Sequence, residues 1–194
     1  DATFVIDSST SVEYPIWVAE YDKAVIKNCE LIGGGIWADK GSKCVVSRTN
    51  VKDAYDRGIS MSYNSKVYVA DSKLNAVNDN PAVLHGGARV VMKNSRLSAQ
   101  KKDESVCFFR YENTAFYLEN CILTGDDIGI EIGNGASGCL KNVTFQRCKD
   151  SIDNDGDIEL FGNQYHGNSF SSHSNGRHVN KENGNFDVNP SFFK

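Results

Sequence analysis

The chain of 194 residues has little proline and no long helix-forming block: it contains only 3 prolines, and no stretch combines Ala, Leu, Glu and Lys. It has instead 17 glycines and many Asn, Ser, Val and Ile residues. This composition favours strands joined by tight turns over helices. The sequence therefore predicts an all-β protein, and its length suits one domain with a continuous core.

Other absences limit the partners. Positive charge is not in excess, since the net charge is -4 at pH 7, so neither nucleic acid nor an anionic membrane is expected as a partner, although a local basic cluster could bind an acidic sugar. No apolar run approaches the length of a membrane span. The chain begins at Asp1 without an initiator Met or a signal-type apolar segment, which predicts a processed protein or an excised fragment.

A phrase such as AVIKNCELIG (24–33) recurs along the chain, and each copy has an apolar anchor residue. The anchors are Ile26, Val46, Val69, Met92, Leu118, Leu140 and Leu160, spaced 20 to 26 residues apart. A second β-like stretch lies about ten residues before most anchors, so each repeat holds about three short strands. This period is typical of a solenoid, whose coils bury their apolar faces only by stacking.

A turn position follows each anchor. The residues two positions after the anchors are Asn28, Arg48, Asp71, Asn94, Asn120, Asn142 and Gly162. Most of these types tolerate left-handed backbone, so we predict a column of sharp bends. The next position is occupied by small residues suited to stacking inside a narrow coil: Cys29, Thr49, Ser72, Ser95, Cys121 and Val143.

With coils of this length and an asparagine ladder at one bend, residues 4–165 resemble the right-handed parallel β-helix of the pectate-lyase-like superfamily. The resemblance implies a solenoid of about seven coils over residues 1–165, followed by an irregular C-terminal tail at 166–194 that packs on it. The closing NGNFDVNPSFFK (183–194) is similar to the phrase that ends many secreted bacterial β-helix proteins, which implies an extracellular or cell-surface location.

Two alternatives concern the architecture and its ends. A two-sheet sandwich is the alternative fold, but its strands would recur every 8–12 residues or so with hairpin turns. The first coil starts almost at Asp1 with no cap, and an open coil end exposes unpaired strand edges. We therefore expect either an oligomer or a missing N-terminal cap.

Six cysteines raise the question of disulfides. Cys29 and Cys121 fall in one ladder four coils apart, about 19 Å by strand spacing, so they cannot bond to each other. Cys44 falls on an inward position, and Cys107 and Cys139 on outward positions. Buried free thiols are therefore favoured over three bridges.

The outward face of the first strand in each coil is where β-helix proteins that act on polysaccharides typically bind them. Alternation places Val106 and Phe108 inside and predicts these outward residues: Trp17, Trp37, Asp39, Ser60, Ser62, Val83, His85, Cys107, Phe109, Gly129, Glu131 and Asp153. Aromatic faces stack on pyranose rings, and carboxylates accept hydrogen bonds from hydroxyl groups. We therefore predict polysaccharide binding by Trp37, Asp39, His85, Arg110 and Glu131, with a plain solvated sheet as the alternative.

The segment GDDIGIEI (125–132) resembles the GDD segment of polygalacturonase-like glycoside hydrolases. The resemblance implies that Asp126 and Asp127 act as general acid and base. Glu104 lies one coil earlier, about 5 Å away by strand spacing, and would complete an acidic group. The preceding coil reads KKDESV rather than an Asn-Thr-Asp phrase, and no Gly-His-Gly or Arg-Ile-Lys phrase follows, so a structural turn is the alternative.

A lyase would need a base to remove a proton beside a uronate carboxyl and a cation to neutralise that carboxyl. Arg57 is the catalytic candidate, with Lys101, Lys102 and Arg110 also near in register, although surface solubilising charge is the ordinary interpretation. DSIDNDGDIE (150–159) has oxygen-rich spacing compatible with calcium, or it is a tight Asn-Asp-Gly turn. No other metal site is indicated.

Three functions follow from these patterns. The first is a lyase or hydrolase of an acidic polysaccharide. The second is a non-catalytic glycan-binding or adhesive β-helix, such as a segment of a phage tail spike or of a bacterial surface protein. The third is a structural spacer.

Overall fold

The computed structural model describes residues 2–166 and 177–180. These residues form 24 strands and no helix. The strands belong to three parallel sheets of 9, 8 and 7 strands, and neighbours within a sheet are consecutive coils of the chain. The protein is therefore an all-β parallel solenoid of about seven turns, as the repeat predicts, and the sandwich is excluded.

Each coil contributes one strand to each sheet. Sheet A comprises β1 (Thr3–Asp7), β4 (Lys23–Lys27), β7 (Lys43–Ser47), β10 (Lys66–Ala70), β13 (Arg89–Lys93), β16 (Ala115–Glu119), β19 (Ser137–Lys141), β22 (Asp157–Phe161) and β24 (Arg177–Asn180). Sheet B comprises β2 (Thr10–Val12), β5 (Glu30–Ile32), β8 (Asn50–Ala54), β11 (Lys73–Ala76), β14 (Arg96–Ala99), β17 (Ile122–Thr124), β20 (Thr144–Gln146) and β23 (Gln164–His166). Sheet C comprises β3 (Ile16–Val18), β6 (Ile36–Ala38), β9 (Ile59–Met61), β12 (Ala82–Leu84), β15 (Cys107–Phe109), β18 (Ile128–Ile132) and β21 (Asp150–Asn154).

The predicted anchors stack in register along sheet A. Ile26 pairs with Val46, Val46 with Val69, and the series continues to Leu160. The anchors from Ile26 to Leu140 have no solvent exposure. The core is therefore one continuous apolar column enclosed by the three sheets. Strands as short as three residues are stable here because each coil buries its apolar side chains against the coils above and below it.

The predicted bend column is confirmed. All seven positions, from Asn28 to Gly162, have left-handed backbone with φ between 47° and 58°. The side chains also bond from coil to coil: the Asn142 amide donates to Asn120 at 3.2 Å, Asn120 to Asn94 at 3.2 Å, and Asn94 to Asp71 at 3.1 Å. Asn suits this position because it tolerates left-handed backbone and because its side-chain amide both donates and accepts hydrogen bonds between coils.

The small residues beside the bend column form an internal polar ladder. The Ser72 hydroxyl donates to the carbonyl of Ala70 at 2.7 Å and accepts the backbone N–H of Thr49 at 3.2 Å. Ser95 repeats both contacts one coil later. Because each hydroxyl is buried and satisfied, these polar residues do not interrupt the core.

All six cysteines are free and buried. Cys44 faces inward, and burial raises the pKa of its thiol to about 12. Cys139 lies in a small separate cluster with Val91, Tyr117 and Phe161. Burial likewise raises the pKa of Cys121 to about 11. A protonated, buried thiol is a poor nucleophile, so these cysteines act as small apolar residues.

The outward assignment of Cys107 and Phe109 is wrong. Both residues have 0% exposure, whereas Phe108 is half-buried on the outer side and pairs with Glu131 in the next coil. The sequence VCFF (106–109) has no polar alternation, and this coil has the longest spacing of the series, 26 residues from Met92 to Leu118. The hydrophobic pattern of residues 106–109 therefore does not indicate which of these side chains face inward.

Gly129 was also predicted to face outward, and this is wrong. A Cβ at this position would lie 2.5 Å from Cδ1 of Phe145, a core residue with no exposure. The pairing of β18 with β21 skips this residue, since Ile128 pairs with Asp150 and Ile130 with Ile152.

The predicted boundary near residue 165 falls within the last strand of sheet B. β23 ends at His166, and β24 at Arg177–Asn180 adds a further parallel strand to sheet A beside β22. Residues 167–176 and 181–194 lie outside the described residues, and so does the predicted packing of the tail.

Candidate functional site

The outer face of sheet C carries one outward residue per coil at equivalent register. These residues are Trp17, Trp37, Ser60, Val83, Phe108, Glu131 and Asp153, and we call them the sheet C column. Strand spacing places consecutive members about 4.8 Å apart. Six of the seven members are at least partly exposed, whereas Val83, predicted to face outward, is only 1% exposed. The column therefore offers a strip of accessible side chains that is interrupted at Val83.

One end of the sheet C column is aromatic. Trp17 and Trp37 pair directly on β3 and β6, and Trp17 remains 63% exposed. Indoles at paired positions on neighbouring strands provide an aromatic platform, and contiguous exposed apolar side chains commonly mark binding surfaces. Asp39, two residues after Trp37, accepts a hydrogen bond from the Ser62 hydroxyl at 2.7 Å.

The middle of the face carries two carboxyl groups beside an arginine. Arg57 Nε donates to Asp79 Oδ2 at 2.9 Å, and Arg57 Nη1 donates to Ser60 Oγ at 3.4 Å. The Asp56 carboxyl group interacts directly with that of Asp79, and this interaction contributes to the raised pKa of Asp56. Asp56 and Asp79 lie 23 residues apart, on the loops before β9 and β12. This separation is one coil period, so the repeat could have predicted that the two carboxyl groups lie next to each other.

The two carboxyl groups have opposite pKa shifts. Partial burial, together with the interaction with Asp79, raises the pKa of Asp56. Burial also acts to raise the pKa of Asp79, but the backbone N–H of Asn80 and the Arg57 guanidinium outweigh it, so the pKa of Asp79 lies below its ordinary value. A proton on the pair therefore resides on Asp56, and Asp79 holds the negative charge.

His85 lies beside this group, two residues after Val83 of the sheet C column. Its ring meets Phe108 edge to face at 6.2 Å and Tyr111 at 5.7 Å between centroids. Burial lowers the pKa of His85 below 6.5, and Arg57 and Arg110 lower it further, while Asp79 acts in the opposite direction. The imidazole is therefore uncharged at neutral pH and can donate one hydrogen bond and accept another.

The structure brings together two of the predicted substrate-binding residues, Arg110 and Glu131. Arg110 Nη2 lies 2.8 Å from Glu131 Oε1, and the guanidinium covers the Phe108 ring at 4.0 Å from its centroid. The arginine is thus oriented by an ion pair and by an aromatic face at once.

Comparison of the sequence with protein-family models and with curated proteins finds no match. The architecture is that of a parallel β-solenoid, and the assignment to the pectate-lyase-like superfamily stays a prediction.

The predicted acidic group at GDD lies away from Arg57. Arg57 precedes β9 and Asp126 precedes β18, three coils apart in sheet C, or about 14 Å by strand spacing. Glu104 pairs with Lys101 at 2.8 Å, and Asp127 lies 3.7 Å from Lys149. Asp126 is exposed. An acid and base role for Glu104, Asp126 and Asp127 stays a prediction, and Arg57 belongs to a different part of the face.

The segment considered for calcium forms two strands, β21 and β22, joined by a tight turn. Asn154 closes this turn by accepting the Gly156 N–H at 3.0 Å and donating to the Gly156 carbonyl at 3.1 Å. Over residues 2–166 and 177–180, no group of three or more His, Cys, Asp and Glu side chains is arranged to hold a metal ion. The same residues include no helix long and apolar enough to cross a membrane.

Proposed function

We propose that the protein binds a polysaccharide chain along the outer face of sheet C. The observation that carries the proposal is the sheet C column itself, which places the exposed Trp17 and the half-buried Trp37 in line with polar groups on the following coils. An extended glycan presents alternating apolar ring faces and hydroxyl groups, and it needs a long open strip of this kind rather than an enclosed pocket.

The polar groups along the strip are held in place by neighbours. Asp39 is bonded to Ser62, Arg57 to Asp79, and Arg110 to Glu131. Such preorganised donors and acceptors lose little side-chain entropy on binding. They suit a ligand rich in hydroxyl groups. Both arginines already have carboxylate partners. Neither therefore offers an unpaired positive charge to the carboxylates of an acidic polysaccharide.

The binding proposal predicts a large effect at the platform. Trp17→Ala is expected to weaken binding of the preferred polysaccharide by about tenfold or more, since stacking on an exposed aromatic is worth roughly 1–2 kcal/mol. Isothermal titration against a panel of neutral, acidic and amino polysaccharides measures this loss. Trp17 is 63% exposed, so the fold should persist.

The matched control is Tyr55→Ala, which removes an aromatic side chain that is 74% exposed but follows β8 and lies outside the sheet C column. Its affinity should equal that of the wild type. An equal loss in both variants, or no binding to any member of the panel, would refute the proposal.

A second candidate function, hydrolysis, is favoured by the Asp56–Asp79 pair. A carboxyl group whose pKa is raised can supply the general acid for glycoside cleavage. In this scheme Asp56 protonates the departing glycosidic oxygen, water attacks the anomeric carbon and releases its proton to solvent, and the ionised Asp79 keeps the proton on Asp56 before the transfer. Because the two carboxyl groups contact each other, they are too close for Asp79 to activate a water on the opposite face of the sugar. Arg57 positions Asp79.

Hydrolysis predicts a defined pH dependence. The rate should fall as pH passes the raised pKa of Asp56, so the optimum is acidic. Reducing-end release should drop by about 100-fold or more in Asp56→Asn. Full activity in that variant would exclude the pair, and activity detected only as unsaturated product would indicate a lyase instead.

A further inference from the structure

Three tyrosines occupy the turns that follow every second strand of sheet C. Tyr21 follows β3, Tyr63 follows β9 and Tyr111 follows β15. Their exposed fractions are 64%, 63% and 58%. Successive tyrosines are two coils apart, about 10 Å by strand spacing. They form a row at the edge of sheet C where its strands end, beside the sheet C column.

The backbone at these tyrosines is unfavourable for their type. Their φ values are 59°, 48° and 76°, in the left-handed region that bulky side chains rarely adopt. Gly86 occupies the equivalent turn one coil after Tyr63, with φ of 52° and no such cost. The chain therefore holds exposed tyrosines at positions where glycine or asparagine would be more stable, and strain of this kind concentrates at functional sites.

The tyrosine row divides the edge into three consecutive grooves. The first, of about 320 Å³, lies between Tyr21 and Tyr63. The second, of about 790 Å³, lies between Tyr63 and Tyr111, with His85 and Gly86 in its lining. The third, of about 290 Å³, extends from Tyr111 to Asp155. We call the three grooves together the edge track.

The first tyrosine lies against the coil beside it. A Cβ at Gly41 would lie 3.0 Å from Cε1 of Tyr21, so a larger residue at the equivalent turn of the next coil would displace this ring. At the second tyrosine the fit is looser, since a Cβ at Gly86 would lie 3.8 Å from Cδ1 of Tyr63. Rings supported in this way lose little freedom on binding a ligand.

The edge track is acidic. Among the described residues that line it, the carboxylates are Glu20, Glu112, Glu131, Asp153 and Asp155, and the cations are Lys40 and Arg110. Each cation is already paired with one of these carboxylates, Lys40 with Glu20 and Arg110 with Glu131. His85 adds no positive charge at neutral pH. The track therefore repels polyanions and attracts cationic groups.

We infer that the edge track binds a linear polysaccharide of free amino sugars, one disaccharide per groove. This rests on the proposed glycan-binding function and names its ligand class and its site. Two pyranose units of an extended chain span a length similar to two coils, so every second sugar ring meets a tyrosine. The protonated amines of the chain meet the carboxylates of the grooves.

Tyr63 provides the sharpest test because it borders two grooves. Tyr63→Asn removes the ring while keeping a residue that tolerates left-handed backbone, so the fold should be retained or gain stability. Isothermal titration at mildly acidic pH uses a glucosamine oligomer with free amines, its N-acetylated counterpart and an oligogalacturonate of equal length. The wild type should bind the free-amine oligomer about tenfold or more tighter than the N-acetylated one, and should not bind the oligogalacturonate.

Tyr63→Asn should weaken binding of the free-amine oligomer about tenfold, and Tyr55→Ala should leave it unchanged. Added salt should weaken it in the wild type. Equal affinity for the acetylated or the acidic oligomer, or full affinity in Tyr63→Asn, would overturn the inference. If Trp17→Ala abolishes binding while Tyr63→Asn does not, the edge track is refuted and the proposed function stands. Failure of every polysaccharide refutes both.

Discussion

Phe109→Ala is expected to lower the free energy of unfolding by about 3–5 kcal/mol, the usual cost of deleting a fully buried phenylalanine. The Phe109 ring has no solvent exposure and packs at 4.8 Å from the Phe116 ring, centroid to centroid, inside the solenoid. Its removal leaves a cavity between coils that have few ways to collapse, because each is held on both sides by backbone hydrogen bonds. Urea unfolding followed by circular dichroism measures the change.

Phe108→Ala is the matched control, one residue away on the same strand. Its ring lies on the outer face beneath Arg110, so its removal should cost no more than about 1 kcal/mol. Because the two substitutions delete the same atoms, the comparison isolates the direction in which each ring points. A larger loss in Phe108→Ala would mean that β15 has the opposite register to the one described.

Gly35→Ala is expected to destabilise the protein by about 3 kcal/mol, at the upper end for inserting a single methyl group. A Cβ at Gly35 would lie 2.0 Å from the Arg57 carbonyl oxygen and 2.8 Å from that of Gly58, both in the next coil. Backbone atoms cannot move aside as a side chain can. The adjacent bond from the Ile36 N–H to the Gly58 carbonyl, at 3.0 Å, holds the two coils at this spacing.

Gly133→Ala provides the comparison. Its Cβ would meet Arg110 Cγ at 2.9 Å, and that exposed side chain can move aside at the expense of its contacts with Glu131 and Phe108, so a cost of about 1 kcal/mol is expected. Thermal unfolding of both variants tests the difference. Similar melting temperatures for the two variants would show that the coils can separate near Gly35, and the tight stacking of β6 on β9 would have to be revised.

The sequence predicted correctly those residues whose role is set by their position within the repeat. The anchors from Ile26 to Leu160 and the bend column from Asn28 to Gly162 were predicted residue by residue, because each repeats at one period and each type matches its backbone. The candidate site was predicted less completely. Alternation predicted Trp37, His85 and Glu131 on the outer face and the coil register predicted Arg110 near them, but the Asp56–Asp79 pair was not recognised as a site.

The failures have a common physical cause. Phe108 and Phe109 are chemically identical, and only the length of the loop after β14 decides which of them points inward. Likewise, the sequence around Arg57 does not indicate that this side chain binds Asp79 rather than the GDD segment. Contacts of this kind depend on side-chain direction and on which coils are neighbours, so register had to be known first.

The sequence by itself determined that the protein is a stack of coils, since short apolar phrases at a period of 20 to 26 residues cannot be buried in any other way. Only the tertiary structure decided which residues form the sheet C column and that Asp79 and Glu131 pair with arginines. It also placed three tyrosines along one edge of sheet C. The reason is geometric. A period specifies which residues are equivalent, whereas a surface is made by the directions in which those residues point.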